Sequence, residues 1–99
     1  MPKKGYWIAH VNVADPERYQ DYIAANAAPL KKFVARFLVR NGESRVVRGE
    51  LRSRRHVVIE FDSYAAAMAC HDSPEYQAAA KIRDEASTAD FVIIEGYEG

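Results

Sequence analysis

Hydrophobic and polar positions divide the chain into short alternating runs and longer stretches with three- and four-residue spacing. From Gly5 to Val13, aromatic and β-branched residues crowd together, which predicts a strand. Its period of two puts Trp7, Ala9, Val11 and Val13 on one face and Tyr6, Ile8, His10 and Asn12 on the other. Asp15, Pro16 and Glu17 then form a helix start: an oxygen cap, a proline suited to the first turn, and an acid at the positive end of the dipole. Tyr19, Tyr22, Ile23, Asn26, Leu30, Phe33 and Val34 follow at helical spacing. Pro29 removes one hydrogen bond and crowds the Ala25 carbonyl, which predicts a kink or break over 25–29.

Residues 35–41 read as a second strand ending in an Asn41-Gly42 turn, with a short return strand over 46–49. Residues 50–55 form a polar, arginine-rich connection, and His56 to Phe61 is a third strand. Ser63 opens an alanine-rich helix to about Cys70. Ser73, Pro74 and Glu75 repeat the earlier cap chemistry and start a helix to about Ala86. Phe91 to Glu95 is the last strand, closed by Gly96. The order is βαβ followed by βαβ. It predicts an α+β, ferredoxin-like split βαβ domain over residues 1–99, with a four-stranded antiparallel sheet, for which 4-1-3-2 is the usual order.

Such a sheet carries helices on one face. Its other face should alternate with polar residues, yet Val57, Val58 and Ile59, and Phe91 to Ile94, are apolar on both sides. Ninety-nine residues supply no further layer. A second copy of the chain is the simplest cover, so the expectation is a homodimer with facing sheets.

Composition narrows the classes. Fourteen basic and fourteen acidic residues cancel, which argues against a nucleic-acid binder. The balance conceals a partition: residues 31–55 hold nine bases against two acids, and the flanks are acidic. That basic stretch has only Phe33 and Phe37 as aromatics, both expected in the core, so no stacking platform interleaves it. One cysteine makes no internal disulfide and suits a reducing cytoplasm. No apolar run reaches membrane-spanning length, and the opening residues lack the apolar core of a signal peptide. The expectation is a cytoplasmic domain with no membrane partner.

Candidate chemistry sits on a few side chains. His10, mid-strand, suits acid–base work near neutral pH. Glu60, among apolar neighbours, is a candidate base whose pKa burial would raise. On the usual strand order it shares a face with His10. Both also read as structural partners. Arg40 and Glu95 end apolar strands; they either orient an anionic ligand or pair with each other. Tyr22 and Asn26 point from the first long helix into the helix–sheet gap. Tyr76 and Arg83, seven apart, share a face of the last helix. Together they outline a small-molecule pocket between helices and sheet. Cys70 and His71 are adjacent, diverge by about 100° on a helix and make a poor dyad. The three histidines lack metal-ligand spacing, no glycine cluster cradles phosphate, and no cofactor motif is visible.

One family combines these features. Gly5 to Val13, Asp15-Pro16 with Tyr19 and Tyr22, Phe37 to Arg40, Val58 to Phe61, Ser73 to Gln77, Arg83 and Glu95-Gly96 together resemble the domain of unknown function 1330 family. Asn41-Gly42 stands where that family often has two glycines, and Asn tolerates the same left-handed geometry. The resemblance implies the dimeric α/β-barrel superfamily and no established reaction. Relatives in that superfamily include cofactor-independent monooxygenases of aromatic polyketides, lactone isomerases and haem enzymes. Two functions stay open. One is a cofactor-independent enzyme, monooxygenase-like or isomerase-like, with His10 or Glu60 as base and Arg40 or Arg83 stabilising negative charge. The other is a non-catalytic ligand-binding or interaction dimer.

Overall fold

In the computed structural model, which describes residues 3–98, seven elements follow one another. They are β1 (Gly5–Val13), α1 (Pro16–Lys32), β2 (Arg36–Arg40), β3 (Arg55–Phe61), α2 (Tyr64–Asp72), α3 (Pro74–Ala86) and β4 (Ser87–Glu95). Met1 and Pro2, at the start of the opening segment, lie outside the described residues. The strands form one antiparallel sheet in the order β2-β3-β1-β4. The fold is α+β and ferredoxin-like. No helix among the described residues is long and apolar enough to cross a membrane.

Helix starts follow the cap chemistry. Asp15 accepts from the Arg18 N–H, Ser63 from Ala66, and Ser73 from Tyr76. Trp7, Ala9 and Val11 of β1 and Val57, Ile59 and Phe61 of β3 are buried beneath the helices. Trp7 anchors the centre: its indole N–H donates to the Ala67 carbonyl at 2.9 Å, and its ring meets Phe61, Tyr76 and Phe91 within 5.3 Å. Gly5 is obligatory where β1 passes α2, because a Cβ there would fall on the Ser63 carbonyl and lie 2.7 Å from the Tyr64 Cα.

Four local expectations are corrected. First, α1 runs unbroken through Pro29 to Lys32. Pro29 lies in the last turn with its ring fully buried, and its carbonyl accepts from the Phe33 N–H at 3.1 Å and faces the Cys70 thiol at 3.7 Å. Packing and these bonds outweigh the one lost hydrogen bond. Second, residues 46–49 form no strand. The segment between β2 and β3 does not pair with the outer edge of β2, and its apolar pair is not buried: Val46 is 38% and Val47 80% exposed. Third, β4 begins at Ser87, since β1 offers nine residues of ladder and pairs it along its whole length, Val13 with Ser87 through Gly5 with Glu95. Residues 87–90, Ser-Thr-Ala-Asp, carry no large apolar side chain to mark a strand, and their pairing is imposed by the neighbouring strand. Fourth, β3 begins at Arg55, one residue inside the expected polar connection. Asn41 ends β2 in the left-handed region at φ 56°, with its N–H on the His56 carbonyl, but the chain leaves the sheet there and forms no Asn41-Gly42 hairpin.

Candidate functional site

The sheet has two very different faces. The face away from the helices carries three rows. Tyr6, Glu60, Arg36 and Ile94 pair across one row; Ile8, Val58, Val39 and Val92 make an apolar row across all four strands; His10, His56 and Asp90 make the third. Val39, Val92 and Ile94 are 41%, 50% and 48% exposed.

His10 and Glu60 both lie on this open face, so the expectation that they share a face holds. They do not meet: four residues of ladder, about 13 Å, separate their rows. His10 instead shares a hydrogen bond with His56, Nδ1 to Nδ1 at 2.9 Å. Glu60 accepts from Arg36 Nε at 3.0 Å and from the Tyr6 hydroxyl at 3.1 Å. The expected rise of its pKa is reversed: the Arg36 guanidinium holds the Glu60 carboxyl below the ordinary value of 4.5. Arg40 and Glu95 do not pair with each other, because β2 and β4 are opposite edges; Glu95 approaches Lys3 at 4.0 Å.

The cavity lies on the other face, under α1 and α3. Trp7, Ala9, Val57 and Ile59 floor it, Tyr19, Tyr22 and Asn26 of α1 roof it, and Phe37 and Phe91 flank it. It measures about 520 Å³ to its open mouth and forms a slot between sheet and helices. Tyr22, Asn26 and Arg83, the expected pocket residues, line it, and so does Arg40, expected as a strand-end cation. His10, Glu60 and Glu95 do not. Tyr76 stands one layer behind, fully buried.

Three of these side chains form a chain of hydrogen bonds. Arg83 Nη1 donates to the Tyr76 hydroxyl at 3.0 Å, and the Tyr76 and Tyr22 hydroxyls are 2.8 Å apart. With Tyr76 accepting from a cation, its own proton is free for Tyr22, and the Tyr22 proton is then free for the slot. Burial pushes the Tyr76 phenol well above its ordinary 10.0, so it stays protonated. Burial also raises Tyr19, against the opposing pull of Arg55. Cys70 bonds back to α1 and His71 to Asp72, so neither forms a dyad. Among the described residues no group of three or more His, Cys, Asp or Glu side chains is placed to hold a metal ion.

Two lining arginines have different histories. Arg40 reaches the slot only because the ladder slips between Phe37 and Val39; Phe37 pairs with Ile59 and Arg40 with Val57, so both face the helices despite odd spacing. Arg55 was not among the candidates. Its parity with Val57, Ile59 and Phe61 was the available signal, and its guanidinium lies 5.3 Å over the Tyr19 ring.

With this geometry in view, comparison with known proteins decides the family. The model of the family described as Domain of unknown function (DUF1330) matches residues 4–97. The chain belongs to that family. No curated protein matches it significantly. Among solved structures, this DUF1330 protein is similar to the RPA0582 protein of unknown function from Rhodopseudomonas palustris, with TM-score 0.78 and 13% identity over 100% of this chain and 86% of that one. It is also similar to SnoaB, a cofactor-independent oxygenase from Streptomyces nogalater, with TM-score 0.64 and 13% identity over 98% and 96% of the two chains. A third is a dimeric ferredoxin-like protein of unknown function from Thermobifida fusca, with TM-score 0.57 and 17% identity over 96% and 92%. At these identities the likeness concerns the fold.

Proposed function

We propose that this DUF1330 protein is a homodimer through its open sheet faces. In each protomer the helix-side slot binds a small flat molecule and acts on it as a monooxygenase-like or isomerase-like enzyme. The observation that carries the site is the Arg83–Tyr76–Tyr22 chain ending in the slot. A ligand carbonyl or phenol oxygen beside Tyr22 receives a hydrogen bond backed by a buried cation. Negative charge on that oxygen, as in a ligand enolate or phenolate, is stabilised by donors already in place. The SnoaB likeness agrees with such chemistry. His10 and Glu60, on the far face, have no part in it.

The dimer rests on the apolar row Val39–Val58–Ile8–Val92, which crosses the sheet and leaves the slot uncovered on the opposite side. The Thermobifida neighbour is described as dimeric. Sedimentation should give a dimer at micromolar concentration, and Val92→Glu a monomer. A monomeric wild type would end the dimer reading.

A second reading, a non-catalytic binding module, is favoured by one observation: no His, Asp or Glu lines the slot among the described residues. Oxygen uptake with a hydroxyanthrone separates the two. The enzyme reading expects uptake that Tyr22→Phe lowers at least about tenfold with the fold intact. Saturable binding without uptake or isomerisation supports the module.

A further inference from the structure

Donors prevail in the slot. Tyr19 and Tyr22 carry hydroxyls and Asn26 an amide, which both donate and accept, whereas Arg40, Arg55 and Arg83 offer only N–H donors. The three cations are not equivalent. Arg83 already holds Asp84 through Nε and Nη2, both at 3.1 Å, and Tyr76 through Nη1. Arg40 stacks over Phe37 at 4.2 Å and Arg55 over Tyr19 at 5.3 Å, and neither has a carboxylate within ion-pair distance among the described residues.

Arg55 carries a further mark. Its Nε is buried and has no hydrogen-bond partner, alone among the buried side-chain nitrogens and oxygens of the described residues. Folding has stripped that N–H of water without replacing it, a cost normally met by a partner. Arg40 and Arg55 reach the slot from adjacent strands, where Arg40 pairs with Val57, two residues beyond Arg55 on β3. Two unneutralised guanidiniums beside an aromatic slot are matched to a delocalised anion attached to a planar apolar body.

We infer that the ligand of this slot is a planar aromatic or conjugated monoanion of the carboxylate type. Its acid group is held by Arg55 and Arg40, and its ring lies between the sheet floor and Tyr19, Tyr22 and Phe91. This deepens the pocket reading above and rests on it. Arg55 is the specificity residue: it selects the charged ligand over its neutral analogue, while Tyr22 addresses the other end.

The test is titration of the full-length protein with 2-naphthoate and with its uncharged isostere 2-naphthamide, by calorimetry and by chemical-shift mapping of the Tyr19 and Tyr22 amides. Wild type should prefer the carboxylate at least about tenfold, the scale of one charge-assisted hydrogen bond. Arg55→Gln should bring that ratio close to one by weakening the carboxylate far more than the amide. Arg55→Lys, which keeps the charge and loses the fork, should recover part of the preference. Circular dichroism confirms that each variant is folded; if Arg55→Gln is not, Arg40→Gln must show a reduced ratio in its place. Equal binding of both ligands by wild type overturns the charge assignment and leaves the pocket reading standing. A preference that survives both substitutions overturns the assignment of Arg55 and Arg40. Absence of binding and of shift changes for both ligands overturns the inference together with the pocket.

Discussion

The buried tyrosine pair is the sharpest place to test whether the slot is built as described. Tyr76→Phe removes one oxygen and almost no volume. That oxygen is fully buried and serves two partners, Arg83 Nη1 at 3.0 Å and the Tyr22 hydroxyl at 2.8 Å. Stranding a buried polar group costs about 1–3 kcal/mol, and a bond to a cation lies toward the upper end. Tyr22 faces the slot and recovers a water partner, so the cost falls to about 1–2 kcal/mol. For a chain of this size that corresponds to a melting temperature lowered by roughly 5–15 °C. Tyr22→Phe should cost less, and the double variant should fall short of the sum, because both substitutions break one bond. The assay is thermal unfolding by circular dichroism at one fixed protein concentration, with a urea titration to show an unchanged m-value. A Tyr76→Phe protein melting within about 1 °C of wild type refutes the reasoning, since so small a loss is inconsistent with a buried, mutually dependent chain.

The same residue has a pH signature. Its folded pKa is raised above 10.0, so the folded state holds the phenol proton more tightly than the unfolded chain does. That contribution is whole below pH 10 and is lost as pH climbs beyond it. Tyr76→Phe should therefore show a flatter alkaline limb. Some slope remains, because burial also pushes the Cys70 thiol from 9.0 up to about 12 and raises Tyr19.

Two further outcomes follow from single groups. Cys70 is fully buried with its thiol protonated, so at pH 8 a thiol reagent should leave the native protein unlabelled and react only after denaturant unfolds it; labelling at the native rate of a free thiol would contradict this burial. Glu60 has the opposite sign to Tyr76. Arg36 lowers its pKa, so its contribution is present above 4.5 and is lost as pH falls below that value through the folded pKa; Glu60→Gln should flatten the acid limb of stability measured between pH 6 and 3 and leave 2-naphthoate affinity within about twofold, because it lies on the other face of the sheet.

How far the chain could be read in advance depended on which physical effect set each feature. Elements with local causes were legible. The Asp15-Pro16 and Ser73-Pro74 starts are determined by orphan N–H groups and proline geometry, and both appear where the residues stand. Features set by partners in space were not. Pro29 stays helical because its ring is buried and its carbonyl is used. Ser87 to Asp90 are extended because β1 is nine residues long. Arg40 faces the slot because of a slip in the β2–β3 ladder that no periodicity reveals.

The candidate site shows the same division in a more instructive form. Tyr22, Asn26 and Arg83 line the slot, with Tyr76 one layer behind, because helical spacing gives each of their two helices one inward face. His10 and Glu60 share a face, as the usual strand order predicts, but which face the helices cover stays open in the sequence for a reason internal to the sheet. Alternation separates Trp7, Ala9 and Val11 from Tyr6, Ile8 and His10, but it does not say which set meets the helices when both contain apolar residues. Arg55 was overlooked through the same ambiguity, since its shared parity with Val57 and Ile59 becomes informative only once their face is known to be the covered one. A sheet with one polar face would have declared its interior in the sequence. The apolar residues that conceal it here are those the proposed dimer buries, so the open choice of face and the expected partner have a single origin. Monomeric wild type would remove that origin, leaving Ile8, Val58 and Val92 as an apolar row without cover and the ambiguity without a physical cause.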